Sequence, residues 1–167
     1  VLLEDSAVLE LRHGVRIDPG GVLGGSGIIW MGENPLGLPA GAEVRARYGD
    51  SLVIQSGPIT SAGRIEALGS SALPVELELS GPLTNAAGTG SVVANHALLR
   101  FPGGVENSGS IAFGAGLNNV LGEIRNLPGS LIRVSGGSTV AFNEDVTNEG
   151  SITVSASGPF TSTAIVC

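Results

Sequence analysis

The sequence predicts an all-β protein, a single-stranded parallel β-solenoid of about seven or eight coils, on three observations. Helical periodicity is missing, short strands bounded by turn residues are abundant, and one unit recurs about every 22 residues. On this reading residues 1–167 are one domain, with a less regular N-terminal third (1–57) and regular coils over 58–167.

The first observation excludes helices. Hardly a stretch of the chain keeps an apolar i, i+3, i+4, i+7 stripe free of Gly or Pro, and there are 27 Gly and 9 Pro. Hydrophobic residues make up 42%, aromatics 4% and charged residues 14%, where a typical globular chain carries about 25% charge. Disordered chains are poor in hydrophobes and rich in charge. This chain is therefore ordered, built from small and β-branched residues and punctuated by turns.

The second observation supplies the strands. They are expected at Ala7–Leu11, Val15–Ile17, Gly27–Met31, Glu43–Arg47, Ser51–Gln55, Gly63–Leu68, Val75–Leu79 and Ser91–Ala94. They continue at Ala97–Phe101, Ser110–Phe113, Val120–Ile124, Leu131–Val134, Thr139–Phe142, Ser151–Val154 and Thr163–Val166. Each is bounded by Gly, Pro, Asn or Ser. Residues 32–41, with Asn34-Pro35 and Leu38-Pro39, are read as a loop.

The third observation selects a solenoid over a sandwich or barrel. An apolar residue, any residue, Asn or Ser, a short spacer with Gly, then an apolar strand recurs. The anchors Ser61, Asn85, Asn107, Asn126 and Asn148 are 24, 22, 19 and 22 residues apart. At a rise of roughly 4.8 Å per coil the rod would be about 35 Å long. Gly63, Gly88, Gly109, Gly129 and Gly150 are read as corner residues that tolerate positive φ. The Asn anchors are placed at one corner, either as a stacked amide ladder or as turn formers. Both readings are structural. The hexapeptide beat of left-handed β-helices is absent and the spacing varies, so a right-handed solenoid is expected.

Charge narrows the partners. The net charge is −7, with 8 Arg, 15 acidic residues and no Lys. No basic cluster is present to neutralise phosphates, so nucleic acid and anionic membrane surfaces are not expected partners. Without Lys there is neither a P-loop nor a Lys nucleophile. No apolar run has the length of a membrane span. The single cysteine, Cys167, gives no disulfide framework or multi-Cys metal site. The chain lacks an initial Met and is expected to be an excised or processed piece of something longer.

At the family level, the run Leu23–Ile29, the Pro39-Ala40-Gly41 turn and the run Gly49–Gly57 resemble the autotransporter-associated β-strand repeat of bacterial surface and secreted proteins. The segments Asn119–Asn126 and Gly129–Val154 resemble coils of filamentous-haemagglutinin-like extracellular β-helices. The resemblance spans about Val15 to Val154 and implies a secreted or cell-surface bacterial location. It says nearly nothing about the ligand. The family module repeats many times and feeds a membrane anchor or barrel, and these residues contain neither.

Candidate chemistry is sparse. Gly49-Asp50-Ser51-Leu52 spells the signature of a serine-esterase family, but that family needs a downstream Asp-x-x-His, and neither His13 nor His96 follows an Asp in that spacing. The two histidines form no recognisable metal pair. Asn143-Glu144-Asp145 with Asn148-Glu149 offers oxygen donors suited to calcium, without an EF-hand or Gly-Gly-x-Gly-x-Asp spacing, and is read as a solvated corner. Asp18, Asp50 and Asp145 fall in different turns, which argues against a carboxylate pair of a β-helix polysaccharide lyase or hydrolase. Trp30 and Tyr48 are a weak ligand platform or a cover for the end of the solenoid. Phe101, Phe113, Phe142 and Phe160 read as core or cap.

The expected function is therefore a non-enzymatic structural or adhesive module without cofactors or metal. An extracellular glycan or surface ligand is its possible partner. Alternatives are a β-helix carbohydrate-active enzyme and a trimeric fibre or spike segment. Low charge and a mean hydropathy of +0.34 suggest a homo-oligomer, with a trimer as the best guess, because a thin rod exposes much surface.

Overall fold

A computed structural model describes residues 1–155 and 164–166. Among them there is no helix, and all paired strands run parallel. The chain winds as a β-solenoid of about seven turns. The first coil holds β1 (Leu2–Glu10) and β2 (Val15–Arg16), the second β3 (Val22–Trp30) and β4 (Leu36–Leu38). Three strands per coil follow. Coil three has β5 (Glu43–Arg47), β6 (Ser51–Gln55) and β7 (Ile59–Ser61); coil four has β8 (Arg64–Leu68), β9 (Val75–Leu79) and β10 (Leu83–Asn85). Coil five has β11 (Ser91–Asn95), β12 (Ala97–Arg100) and β13 (Val105–Asn107). Coil six has β14 (Ser110–Ala115), β15 (Leu117–Leu121) and β16 (Ile124–Asn126). Coil seven has β17 (Leu131–Val134), β18 (Thr139–Phe142) and β19 (Val146–Asn148). β20 (Ser151–Val154) and β21 (Ala164–Val166) begin another turn.

The strands form three walls. Wall A stacks β5, β8, β11, β14, β17 and β20; wall B stacks β6, β9, β12, β15, β18 and β21. Both continue into β3, whose first half pairs with β5 and whose second half pairs with β6. Wall C stacks β2, β4, β7, β10, β13, β16 and β19. The sequence reading missed most of wall C. Two- and three-residue strands are too short for a period-2 signal, and β4 lies within the loop expected at 32–41.

The core is a set of in-register columns. On wall C, Val15, Leu36, Ile59, Leu83, Val105, Ile124 and Val146 stand one above another. On wall A, Ala46, Ala67 and Ala94 are followed in their column by Phe113 and Val134. Facing them on wall B, Leu52, Leu77, Leu99, Val120 and Phe142 follow one another. Ala fills this wall A column in coils three to five, beside Val44, Ile65 and Val92, and aromatic bulk enters from both walls further on. Phe113 and Phe142 meet edge to face at 5.9 Å and 84°, a favoured aromatic geometry. Phe101 is likewise core. Phe160 and Cys167 lie outside the described residues.

Two kinds of glycine replace the single kind expected. Gly88 and Gly129 hold φ of +80° and +82° with open space around them, as turn glycines should. Gly63, Gly109 and Gly150 are not in the left-handed region. They are small because each lies against the coil below: a Cβ on Gly109 would stand 2.3 Å from the Gly90 carbonyl oxygen. Gly90 occupies the same position in its own coil, directly before a wall A strand.

Candidate functional site

The Asn anchors are not corner residues. Each is the last residue of a wall C strand and points inward, because the strand alternates and its first residue is already in the core. Ser61, Asn85, Asn107 and Asn126 are fully buried. The amides are chained: Asn85 Nδ2 donates to Asn107 Oδ1, Asn107 Nδ2 to Asn126 Oδ1, and Asn126 Nδ2 to Asn148 Oδ1, each at 2.7 Å. Second bonds run to wall A, from Asn85 Nδ2 to the Ser110 carbonyl at 3.2 Å and from Asn126 Nδ2 to the Ser151 carbonyl at 3.3 Å. The ladder therefore also ties wall C to the next coil of wall A. Its head is incomplete. Asn85 Oδ1 is buried without a partner, and the residue beneath it in register is Ser61.

Ladder geometry gathers other residues on the outside of wall C. The middle residue of each strand points out, giving the column Thr60, Thr84, Glu106, Arg125 and Thr147. The residues that enter each strand form a second column, since Leu83 N–H bonds Gly104, Val105 N–H bonds Glu123 and Ile124 N–H bonds Asp145. Between the columns lies a groove of about 410 Å³ along four coils. It carries Glu106, Glu123, Asp145 and Arg125, and Arg125 is ion-paired with Glu149 at 3.1 Å. Of the carboxylates weighed from sequence, Asp145 lines this groove and Asp18 and Asp50 do not; Glu106, Glu123 and Asp145, 17 and 22 residues apart, are brought together by the winding.

A second charged group sits outside wall A. The Glu66 side chain is 3% exposed although it points away from the core, because Arg47 and Arg64 close over it. Arg64 Nη2 stands 2.7 Å from Glu66 Oε2, and Arg47 Nε donates to Oε1 at 2.6 Å. Burial alone would raise the Glu66 pKa, but the bonds from Arg47 and Arg64 outweigh it and hold the carboxyl below its ordinary range. The bond to Glu66 in turn raises Arg47. The Glu66 carboxylate is held between two guanidiniums and is not available as a free acid or base.

The remaining candidates stay apart. Ser51 opens β6, where its N–H donates to Ser26 Oγ at 3.2 Å, and Asp50 Oδ2 accepts the Arg47 N–H at 2.7 Å. Asp50 is a turn cap there. His13 lies in the first coil, and His96 in coil five, its ring over Gly116 of the next coil. Among the described residues no group of three or more His, Cys, Asp or Glu side chains is placed to hold a metal ion. Asn143–Glu149 is exposed apart from Val146, and Asn143 Nδ2 donates to the Val120 carbonyl at 3.1 Å. Trp30 and Tyr48 are 42% and 65% exposed but sit at opposite ends of wall B. Trp30 pairs with Gln55, the end of β6, while Tyr48 precedes its start at Ser51. They make no common platform.

Fold and surface define a parallel β-solenoid with a buried amide ladder. No protein-family model, no curated protein and no solved structure matches the chain.

Proposed function

We propose that the chain is a non-enzymatic structural and adhesive module, a stiff rod of a secreted or cell-surface bacterial protein. The observation that supports this best is the in-register ladder. From coil four to coil seven amide must meet amide, so these coils cannot slide, and this part of the rod presents a fixed outer surface. Three ion pairs on the outside join successive coils: Glu66 with Arg47, Glu76 with Arg100 and Arg125 with Glu149. Location at the cell surface rests on the family resemblance of the repeats.

A second reading, a carbohydrate-active enzyme, is favoured by one feature, the wall C groove with Glu106, Glu123 and Asp145. Incubation with a panel of polysaccharides, followed by assays for new reducing ends and unsaturated products, separates the two. The adhesive module gives retention without turnover. Turnover abolished by Glu123→Gln or Asp145→Asn would overturn the proposal.

Self-association into a trimer belongs to the same proposal. Exposed Val8, Ile28 and Leu117 support it. The surface-to-volume argument does not, because the accessible surface is 7753 Å² against about 7600 Å² for a compact monomer of this mass. Light scattering across a dilution series should give a stable multiple of 16.7 kDa. A monomer throughout removes the oligomer from the proposal.

A further inference from the structure

We propose that the concavity around Trp30 binds a pyranose ring of a glycan, which rests on the adhesive reading above. Trp30 ends β3 on the outside of wall B, in one column with Glu10 of β1 and Gln55 of β6. It is the only Trp in the chain. The indole lies beside Gly32: its Cζ2 and Cη2 are 3.6 and 3.7 Å from where a Cβ there would stand. Gly32 holds φ +58°, a conformation that suits glycine. The turn beneath is pinned, because Asn34 Nδ2 donates to the Met31 carbonyl at 2.8 Å and to the Arg12 carbonyl at 3.1 Å.

Ring and turn bound a concavity of about 560 Å³ with Glu10, Arg12, Glu33 and Asn34 around it. That volume falls within the range of roughly 300–1,000 Å³ of small-ligand sites. Its chemistry is two-sided. The part-exposed Trp30 indole supplies an aromatic surface, and beside it are both acceptors, the Glu10 and Glu33 carboxylates, and a donor, the Arg12 guanidinium. A sugar ring matches this, with an apolar C–H face circled by hydroxyls that donate and accept. A simple cation matches less well, because Arg12 stands beside the ring, 2.8 Å from Glu10. A purely apolar ligand would strip water from three charged side chains and give them no partner.

The single Trp makes emission a readout of this site. The wild-type chain, Trp30→Ala, Trp30→Phe and Tyr48→Ala are applied to a glycan array. The best soluble oligosaccharide is then titrated while Trp emission is followed, with thermal unfolding as the folding control. We expect a saturable emission change in the wild type and at least about tenfold weaker retention of Trp30→Ala. Trp30→Phe keeps part of the binding and Tyr48→Ala all of it. Glycan retention that survives Trp30→Ala, with no emission change, overturns the Trp30 site and leaves the adhesive reading on another surface. An array that retains nothing overturns the glycan proposal, and adherence of chain-coated beads to cells then judges the adhesive reading separately. Emission that saturates with choline chloride, and with no saccharide, assigns the site to a cation and overturns it as well.

Discussion

The first two coils and coils four to seven fill the same column of the solenoid with opposite chemistry. At the end of each wall C strand the N-terminal coils carry Ile17 and Leu38, both buried, while the later coils carry Asn85, Asn107, Asn126 and Asn148. Aliphatic side chains fill volume without direction. Amides fill it and also demand a partner at a fixed height, since an unpaired buried amide is costly. The corner between walls A and B differs in the same sense. β3 runs through it unbroken, helped by Gly25 and Gly27 at φ +101° and +142°. Later coils stop and turn there, with His96 at φ +46° in coil five and Gly116 at φ +66° in coil six. The lesson is that a solenoid needs only apolar columns to stack, and adds a polar ladder to fix register.

The largest effect should come from making a ladder coil like an N-terminal one. Asn107→Leu leaves Asn85 and Asn126 each short of an amide partner and should lower stability by about 3 kcal/mol in urea unfolding. A neutral result would mean that an apolar column serves equally well there. Next come the glycines, which test how tightly the coils stack. Gly109→Ala drives a methyl into the coil below and should cost about 2–3 kcal/mol. Gly129→Ala strains only a turn with open space and should cost about 1 kcal/mol. Equal losses would erase the distinction between stacking and turn glycines.

Acidification tests the charged group of coils three and four. The folded pKa of Glu66 is depressed, so its contribution is present above the unfolded carboxyl value of about 4.3 and is lost as pH falls through the lower folded value. Thermal unfolding at graded pH should show wild type losing more stability over that window than Glu66→Gln. Parallel curves would mean that the two arginines do no net work. The smallest effect, and the only gain, is expected from Ser61→Asn, which extends the ladder by one coil and gives Asn85 Oδ1 its missing donor. It should add about 1 kcal/mol. A loss would show that the space between Leu38 and Asn85 cannot take an amide.

Much of this was legible beforehand. The strands at Glu43–Arg47, Ser51–Gln55, Val75–Leu79, Leu131–Val134, Thr139–Phe142 and Ser151–Val154 have the bounds that periodicity assigned them. Each is long enough to alternate. The spacing of Ser61, Asn85, Asn107, Asn126 and Asn148 located the ladder column but not the side on which it lies, because the three-residue strands that aim those side chains inward carry no period of their own. The wall C groove was hidden for another reason. Glu106, Glu123 and Asp145 are neighbours only through the winding, and nothing local marks them.

The sequence by itself determined the fold class, the repeat and the column in which the amides stand, since all three follow from residue type at a near-constant period. Tertiary structure alone decided what each repeated position does. Whether a glycine turns the chain or admits the next coil depends on which backbone lies against it, as Gly129 and Gly109 show. Whether a carboxylate is solvated or buried depends on the coils above and below, as Arg47 does for Glu66. Those neighbours are about one coil away along the chain and a few ångströms away in space, and only the stacking of parallel strands at roughly 4.8 Å brings them together.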